Sequence, residues 1–171
     1  VLHRHGYADY NLFDKLFFKY VRKVIYISND VANYHLGRGE YSDKGVVIYN
    51  GIDLEKYSPI SNARAFRQEM GFGLQQPVIG HVARLDWWKG HEVFIDAIAK
   101  VKKQKGDVHG IIVGGIAELH YHKSKKYYEN LLTQVASLGL DDHIQFLGHR
   151  TDLPRLLATF DVIVHASSTP E

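Results

Sequence analysis

Apolar positions along this chain fall into short runs separated by longer amphipathic stretches. The runs 24–27, 46–49, 78–83, 109–113, 143–147 and 162–165 are rich in β-branched and aromatic residues and bounded by polar or glycine-containing segments. Their length and composition are those of strands buried on both faces. Residues 1–7 read as the tail of a further strand running into a loop. Between the runs, apolar residues recur at three- and four-residue spacing, the mark of amphipathic helices. One such helix covers 11–23. Another starts at the Ser28-Asn29-Asp30 cap, runs to Leu36 and ends at Gly37 and Gly39. Residues 61–73 read as a short helix and linker. Residues 91–104 turn Val93, Phe94, Ala97, Ile98 and Val101 inward, and Gly106 follows as a stop. Residues 124–138 turn Tyr127, Leu131, Leu132 and Val135 inward before Gly139. A short helix over 153–159 is capped by Thr151 or Asp152.

Strands alternating with helices make a doubly wound parallel α/β sheet the economical fold. In such sheets ligands bind outside the carboxyl ends of the strands. The polar loops 84–89, 114–115, 148–149 and 167–171 all fall at those ends. The stretch from Asn50-Gly51 to Gln76 is rich in polar, glycine and proline residues, so a domain boundary is expected there.

Composition narrows the classes. The 171 residues are 45% hydrophobic with 21 Lys and Arg against 19 Asp and Glu, which is globular and soluble in type. A net charge of +2 gives no basis for a nucleic-acid partner. No apolar run approaches the length of a membrane span. There is no cysteine, which excludes disulfides and thiol chemistry and fits a reducing compartment. The chain begins at Val1 without a methionine and ends at Pro170-Glu171 soon after an apolar run. It is therefore read as a piece of a longer protein.

The chemistry concentrates in Gly80-His81-Val82-Ala83-Arg84-Leu85-Asp86-Trp87-Trp88-Lys89-Gly90. Here a strand, a cationic loop and a helix N-terminus follow one another, and the backbone amides and dipole of that helix start favour an anion. Arg84 offers a planar fork and Lys89 a compact charge. They read either as a diphosphate clamp or as ordinary surface cations at a strand end. Trp87 and Trp88 either stack on a sugar or base or cover the loop. Asp141 and Asp142 read as turn residues. Lys123, Lys125 and Lys126 read as an exposed helix start or a patch facing anionic lipid. Of the eleven histidines, His120 and His122 are the best candidate metal pair. With no cysteine and no carboxylate at ligand spacing, no metal is expected.

Several stretches carry a resemblance. Val47-Ile48-Tyr49-Asn50-Gly51-Ile52-Asp53, followed by Tyr57-Ser58-Pro59, resembles the interdomain signature of family 4 glycosyltransferases of the GT-B fold. The segment from Gly80 to Gly90 resembles their donor-phosphate motif, and Phe146-Leu147-Gly148-His149 the loop that meets the nucleotide base. Phe160 to Ser167, ending in Pro170-Glu171, resembles the approach to a paired-glutamate motif. Val24 to Ser28 resembles the last strand of the family's N-terminal domain. These elements follow one another in the family's order over nearly the whole chain.

The resemblance implies a Rossmann-like half of a GT-B fold with a remnant of the preceding Rossmann-like domain. Residues 1–50 would be that acceptor-side remnant, 51–76 the linker, and 77–171 the truncated donor domain. It implies a retaining hexosyltransferase that moves sugar from a nucleotide diphosphate sugar to a glycan, lipid or small-molecule acceptor, as in polysaccharide biosynthesis. Arg84, Lys89 and Gly90 would hold the donor diphosphate, and Gly148 and His149 the base. No metal or other cofactor is implied. Glu171 would contact the donor sugar, and a second glutamate would lie beyond the chain. His3 or His5, with His5 preferred because Gly6 follows it, would stand near the anomeric carbon. Location would be cytoplasmic, with peripheral contact at the inner face of a membrane open to the full-length protein. Gly114-Gly115-Ile116 departs from the family's Gly-Asp-Gly-like turn, and the family's N-terminal glycine-rich loop has no counterpart. The fragment alone is expected to show no transfer. Rival readings are another GT-B nucleotide-sugar enzyme such as an epimerase, or a non-catalytic nucleotide-binding module.

Overall fold

The computed structural model describes residues 2–4, 20–37, 43–116 and 121–168. Two compact units divide between Asp53 and Leu54.

The first unit holds three parallel strands, β1 (Leu2–Arg4), β2 (Val24–Tyr26) and β3 (Gly45–Val47), in that spatial order. Leu2 pairs with Val24, and Val24 with Gly45. The pairing continues to Ile48, whose N–H donates to the Tyr26 carbonyl at 2.9 Å. Ile48 and Tyr49 are then exposed, so the strand expected over 46–49 starts and stops earlier. Helix α1 (Asn29–Leu36) begins as its sequence dictates: Ser28 is extended and its Oγ accepts from the Val31 N–H at 3.1 Å. Val24, Tyr26, Val31 and Ala32 form the core of this unit. The helix expected over 11–23 lies almost wholly outside the described residues.

In the second unit, α2 (Ala63–Glu69) precedes β4 (Val78–Val82), α3 (His91–Lys105), β5 (His109–Val113), α4 (Tyr121–Ser137), β6 (Ile144–Phe146), α5 (Leu153–Leu157) and β7 (Val162–Ile163). The four strands are all parallel in the order β6-β5-β4-β7. The chain steps outward from β4 to β6, then crosses back to place β7 on the other side of β4.

Both faces are covered at β4 and β5, as their apolar runs require. Val162 and Ile163 of the edge strand β7 are exposed, so the run 162–165 is not the strand buried on both faces that its composition predicts. Along β5, Ile112 points to one side, against Phe94, Ile95 and Ile98 of α3 and Leu131 and Val135 of α4. Ile111 and Val113 point to the other, with Phe66 of α2, Phe72 and Leu156 of α5. This two-residue alternation wraps helices on both sides of the sheet, a doubly wound fold.

Two helix faces differ from expectation. On α3 the buried stripe is His91, Phe94, Ile95 and Ile98, while Val93 is 54% exposed. The stripe is turned by about one residue because His91 and Ile95 face the sheet and Val93 and Ala97 face away. On α4, Leu131 and Val135 are buried but Leu132 is exposed. That helix also starts before Ser124, which is itself buried.

Below the sheet, at its amino edge, Arg67 of α2 is 8% exposed. Its guanidinium makes two bonds of 3.0 Å to Asp161 and donates to the carbonyls of Gly73 and Thr159 at 3.1 Å and of Gln76. Asp161 also accepts from the Val78 N–H at 2.8 Å. The Arg67 bonds hold the Asp161 carboxyl below its ordinary range despite some burial. The pair fixes the starts of β4 and β7 side by side.

Candidate functional site

The site expected from sequence sits at the carboxyl edge, where the strand order reverses between β4 and β7. Four loops leave the sheet there, and backbone hydrogen bonds join them. Leu85 N–H donates to Gly115 O at 3.0 Å and Gly114 N–H to Gly148 O at 2.9 Å. Ser168 N–H donates to Trp88 O at 2.8 Å. The β4, β5, β6 and β7 exits thus form one connected rim.

Two glycines permit this closeness. Gly90 sits at φ +69° at the start of α3, a left-handed conformation that disfavours a side chain. A Cβ there would stand 1.9 Å from the Ala166 carbonyl oxygen. Gly114, at φ +153°, would bring a Cβ to 1.8 Å from the Ala83 carbonyl oxygen. Gly114 heads the turn that departs from the family pattern, and it serves this packing.

Arg84, Asp86, Lys89 and Gly90 follow β4 directly. The Arg84 side chain is 65% exposed and lies 3.4 Å from the Asp86 carboxylate, whose side chain is 3% exposed. Asp86 precedes a single 3-10 turn (Trp87–Lys89) that Gly90 ends. That turn carries Lys89 to the first amides of α3, which have no partner earlier in the helix. Two cations and the positive end of a 15-residue helix therefore meet at one strand exit. The arrangement can hold an anion. Gly148, at φ +64°, and exposed His149 lie at the β6 exit of the same rim. Glu171 and His5 lie outside the described residues, as does His120, and nothing of the His3 side chain is described.

The structure adds a feature beneath the cations that sequence reading did not assign. His81 of β4 and His91 of α3 are both fully buried, with ring centroids 4.7 Å apart and edge to face. His81 Nδ1 lies 2.8 Å from the Val164 carbonyl, so that nitrogen carries the proton and donates. Neither Nε2 makes a hydrogen bond of good geometry. Burial pushes the His91 imidazole down to about 4, with neighbouring His81 and Lys89 adding to the shift and the Ala83 carbonyl opposing it. Burial likewise lowers His81, against the Val164 and Lys89 carbonyls. Both rings are neutral near pH 7. Their burial follows from the one-residue turn of the α3 face, which spacing alone does not fix.

Trp87 is 61% exposed and meets Trp88 edge to face. Both line a cavity of about 120 Å³ with Asp86, Lys123, Ser124 and Tyr127. The Tyr127 hydroxyl donates to Glu92 and is pushed up by burial and by that carboxylate. Asp141 and Asp142 are exposed turn residues, as read.

Residues 62–171 match the sequence profile of the glycosyl transferases group 1. The chain belongs to this family. Among solved structures, it is similar to HepE of Anabaena, in complex with UDP and glucose: 30% identical, TM-score 0.85, covering 99% of this chain and 46% of that one. A glycosyltransferase of Rickettsia africae gives 26% identity and a TM-score of 0.83, over 99% of this chain and 45% of that one. Among curated relatives, the lipopolysaccharide core mannosyltransferase LpsB of Rhizobium meliloti is 25% identical over 69% of this group 1 chain and 32% of its own length. The group 1 chain spans about a third of the length of the first curated relatives it matches. Among its described residues, no helix is long and apolar enough to cross a membrane.

Proposed function

We propose that this chain is the donor-binding part of a retaining glycosyltransferase that takes a hexose from a nucleotide diphosphate sugar. The observation that carries the reading is the joined carboxyl rim: Arg84 and Lys89 stand on the loop that Gly90 and Ser168 fasten to the β7 exit. In the proposed reaction the diphosphate lies against the α3 amides, Arg84 and Lys89. These groups offset the charge that develops on the leaving phosphate, which is electrostatic catalysis by groups already in place. Gly148 and His149 meet the base, Glu171 the sugar, and His5 the reacting carbon. No metal is needed for this clamp, since side chains and helix dipole supply the positive charge.

UDP is the first nucleotide to test, because HepE, whose structures contain UDP and UDP-glucose, is similar to this chain over almost all of it. Relatives that act as mannosyltransferases, one of them named as GDP-mannose-dependent, make GDP the second. On this proposal residues 1–50 are the remnant of the acceptor-side domain, 51–76 the linker and 77–171 the donor domain. Transfer needs the rest of the acceptor side, and the whole enzyme works in the cytoplasm, at the inner membrane face if its acceptor is a lipid.

The test is calorimetric titration of UDP, GDP and ADP into the chain and into an Arg84→Ala, Lys89→Ala double variant. Binding of one nucleotide, weakened at least about tenfold or 1.4 kcal/mol in the variant, is expected. Binding that the variant leaves unchanged, or no binding of any of the three, removes the clamp.

A further inference from the structure

At the amino edge of the second sheet, opposite the carboxyl rim, three metal-ligating side chains come together. His109 begins β5, and the register that pairs Gly110 with Ile144 sets His143 beside it. The two rings stack with centroids 5.2 Å apart and 27° between planes. Asp107 reaches the same point from two residues before His109, its carboxylate 3.0 Å from His109 Nε2. One ligand atom from each of the three lies within 4.8 Å of the others.

We propose that Asp107, His109 and His143 form a binding site for a zinc-class divalent cation. Three features support it. First, His143 Nδ1 lies 2.9 Å from the Val108 carbonyl. That bond fixes the proton on Nδ1, orients the ring and leaves Nε2 with its lone pair, which is how ligating histidines are commonly held. Second, His109 Nε2 is under conflicting demands. It stands 3.0 Å from the Asp107 carboxylate, which asks it to donate, and 2.7 Å from the Gln76 amide nitrogen, which asks it to accept. One ring nitrogen cannot do both. A cation bound to Nε2 and Asp107 replaces the proton that those two would share, and the Gln76 amide then donates to the other carboxylate oxygen, at 2.7 Å, and not to the ring. Third, the donor set of two imidazoles and one carboxylate suits zinc, with water in the fourth position, and suits magnesium or calcium poorly.

Ligands on tetrahedral zinc stand about 3.3 Å apart. Asp107 and His109 already stand 3.0 Å apart, so the remaining closure is between His143 and that pair. The five residues of β5 place this cluster about 13 Å from the carboxyl rim. A cation here would fasten the starts of β5 and β6 together and take no part in sugar transfer.

The test titrates ZnCl₂ into the chain by calorimetry, with MgCl₂ as the comparison and Asp107→Asn and His143→Gln as variants. Asp107 is exposed, so its variant keeps the fold even if His143→Gln does not. The expected result is one zinc per chain, no magnesium, and binding weakened at least about tenfold by Asp107→Asn. Zinc should also raise the melting temperature of the parent and not of that variant. In the cobalt-substituted protein, d–d absorption should appear and then vanish in the same variant. No binding at about 100 µM zinc, or zinc binding that Asp107→Asn leaves within tenfold, would overturn the proposal.

Discussion

Lowering the pH from neutral to 5 should destabilise the second unit through His81 and His91, and the size follows from their burial. His91 titrates near 6.5 in the unfolded chain and at about 4 when folded. Between those values the unfolded chain binds a proton that the folded one refuses, so stability is complete above pH 6.5 and falls as the pH drops towards 4. At about 1.4 kcal/mol per pH unit, His91 alone removes about 2 kcal/mol by pH 5 and about 3 kcal/mol by pH 4. His81 shifts in the same direction and adds to the loss. The aspartates with lowered values, Asp107, Asp152 and Asp161, start from 3.8 and lose their contribution only below that range. The assay is urea unfolding at pH 5, 6, 7 and 8, with His91→Phe beside the parent. The parent should lose stability steadily below pH 6.5, and the variant should lose distinctly less. A parent as stable at pH 5 as at pH 7, or a His91 ring signal in NMR that titrates at 6.5, would refute the reasoning.

Gly90→Ala should destabilise by at least about 2 kcal/mol, from the left-handed backbone and the Ala166 clash together, and should weaken nucleotide binding beyond that. Thermal unfolding and calorimetry on one sample measure both, and a variant of parental stability would mean the loops are not held together at Ala166. Arg67→Met should cost about 2–3 kcal/mol, less than the 3–5 of a fully buried pair because the Asp161 side chain is half-exposed. Urea unfolding measures this cost, and a value below about 0.5 kcal/mol would place Arg67 among neutral surface positions.

What could be read from the chain, and what could not, divides by the range of the interactions involved. The runs at 78–83 and 109–113 were legible because a strand covered on both faces must be apolar throughout. Ser28 was legible as a cap because its partner, Val31, is three residues away. The cationic loop and Gly90 were legible as a strand-to-helix passage. The buried partnership of His81 and His91 was not, because it depends on how far α3 rotates about its axis when it packs on the sheet. Val93 and Leu132 face outward, against their spacing, for the same reason. The cluster of Asp107, His109 and His143 was invisible to ligand spacing, since parallel register brings together residues separated by an entire crossover. Arg67 gives no local signal either, since its partners stand at the ends of two strands distant in sequence.

The bond from Ser168 to Trp88 and the seat of Gly90 against Ala166 make the loops after β4 and β7 move as one body. For an engineer this sets the unit of exchange. Altering donor preference by grafting residues 84–90 from a relative would leave a foreign loop on a resident partner. The two segments 84–90 and 164–168 have to be transplanted together, as a matched pair of parts.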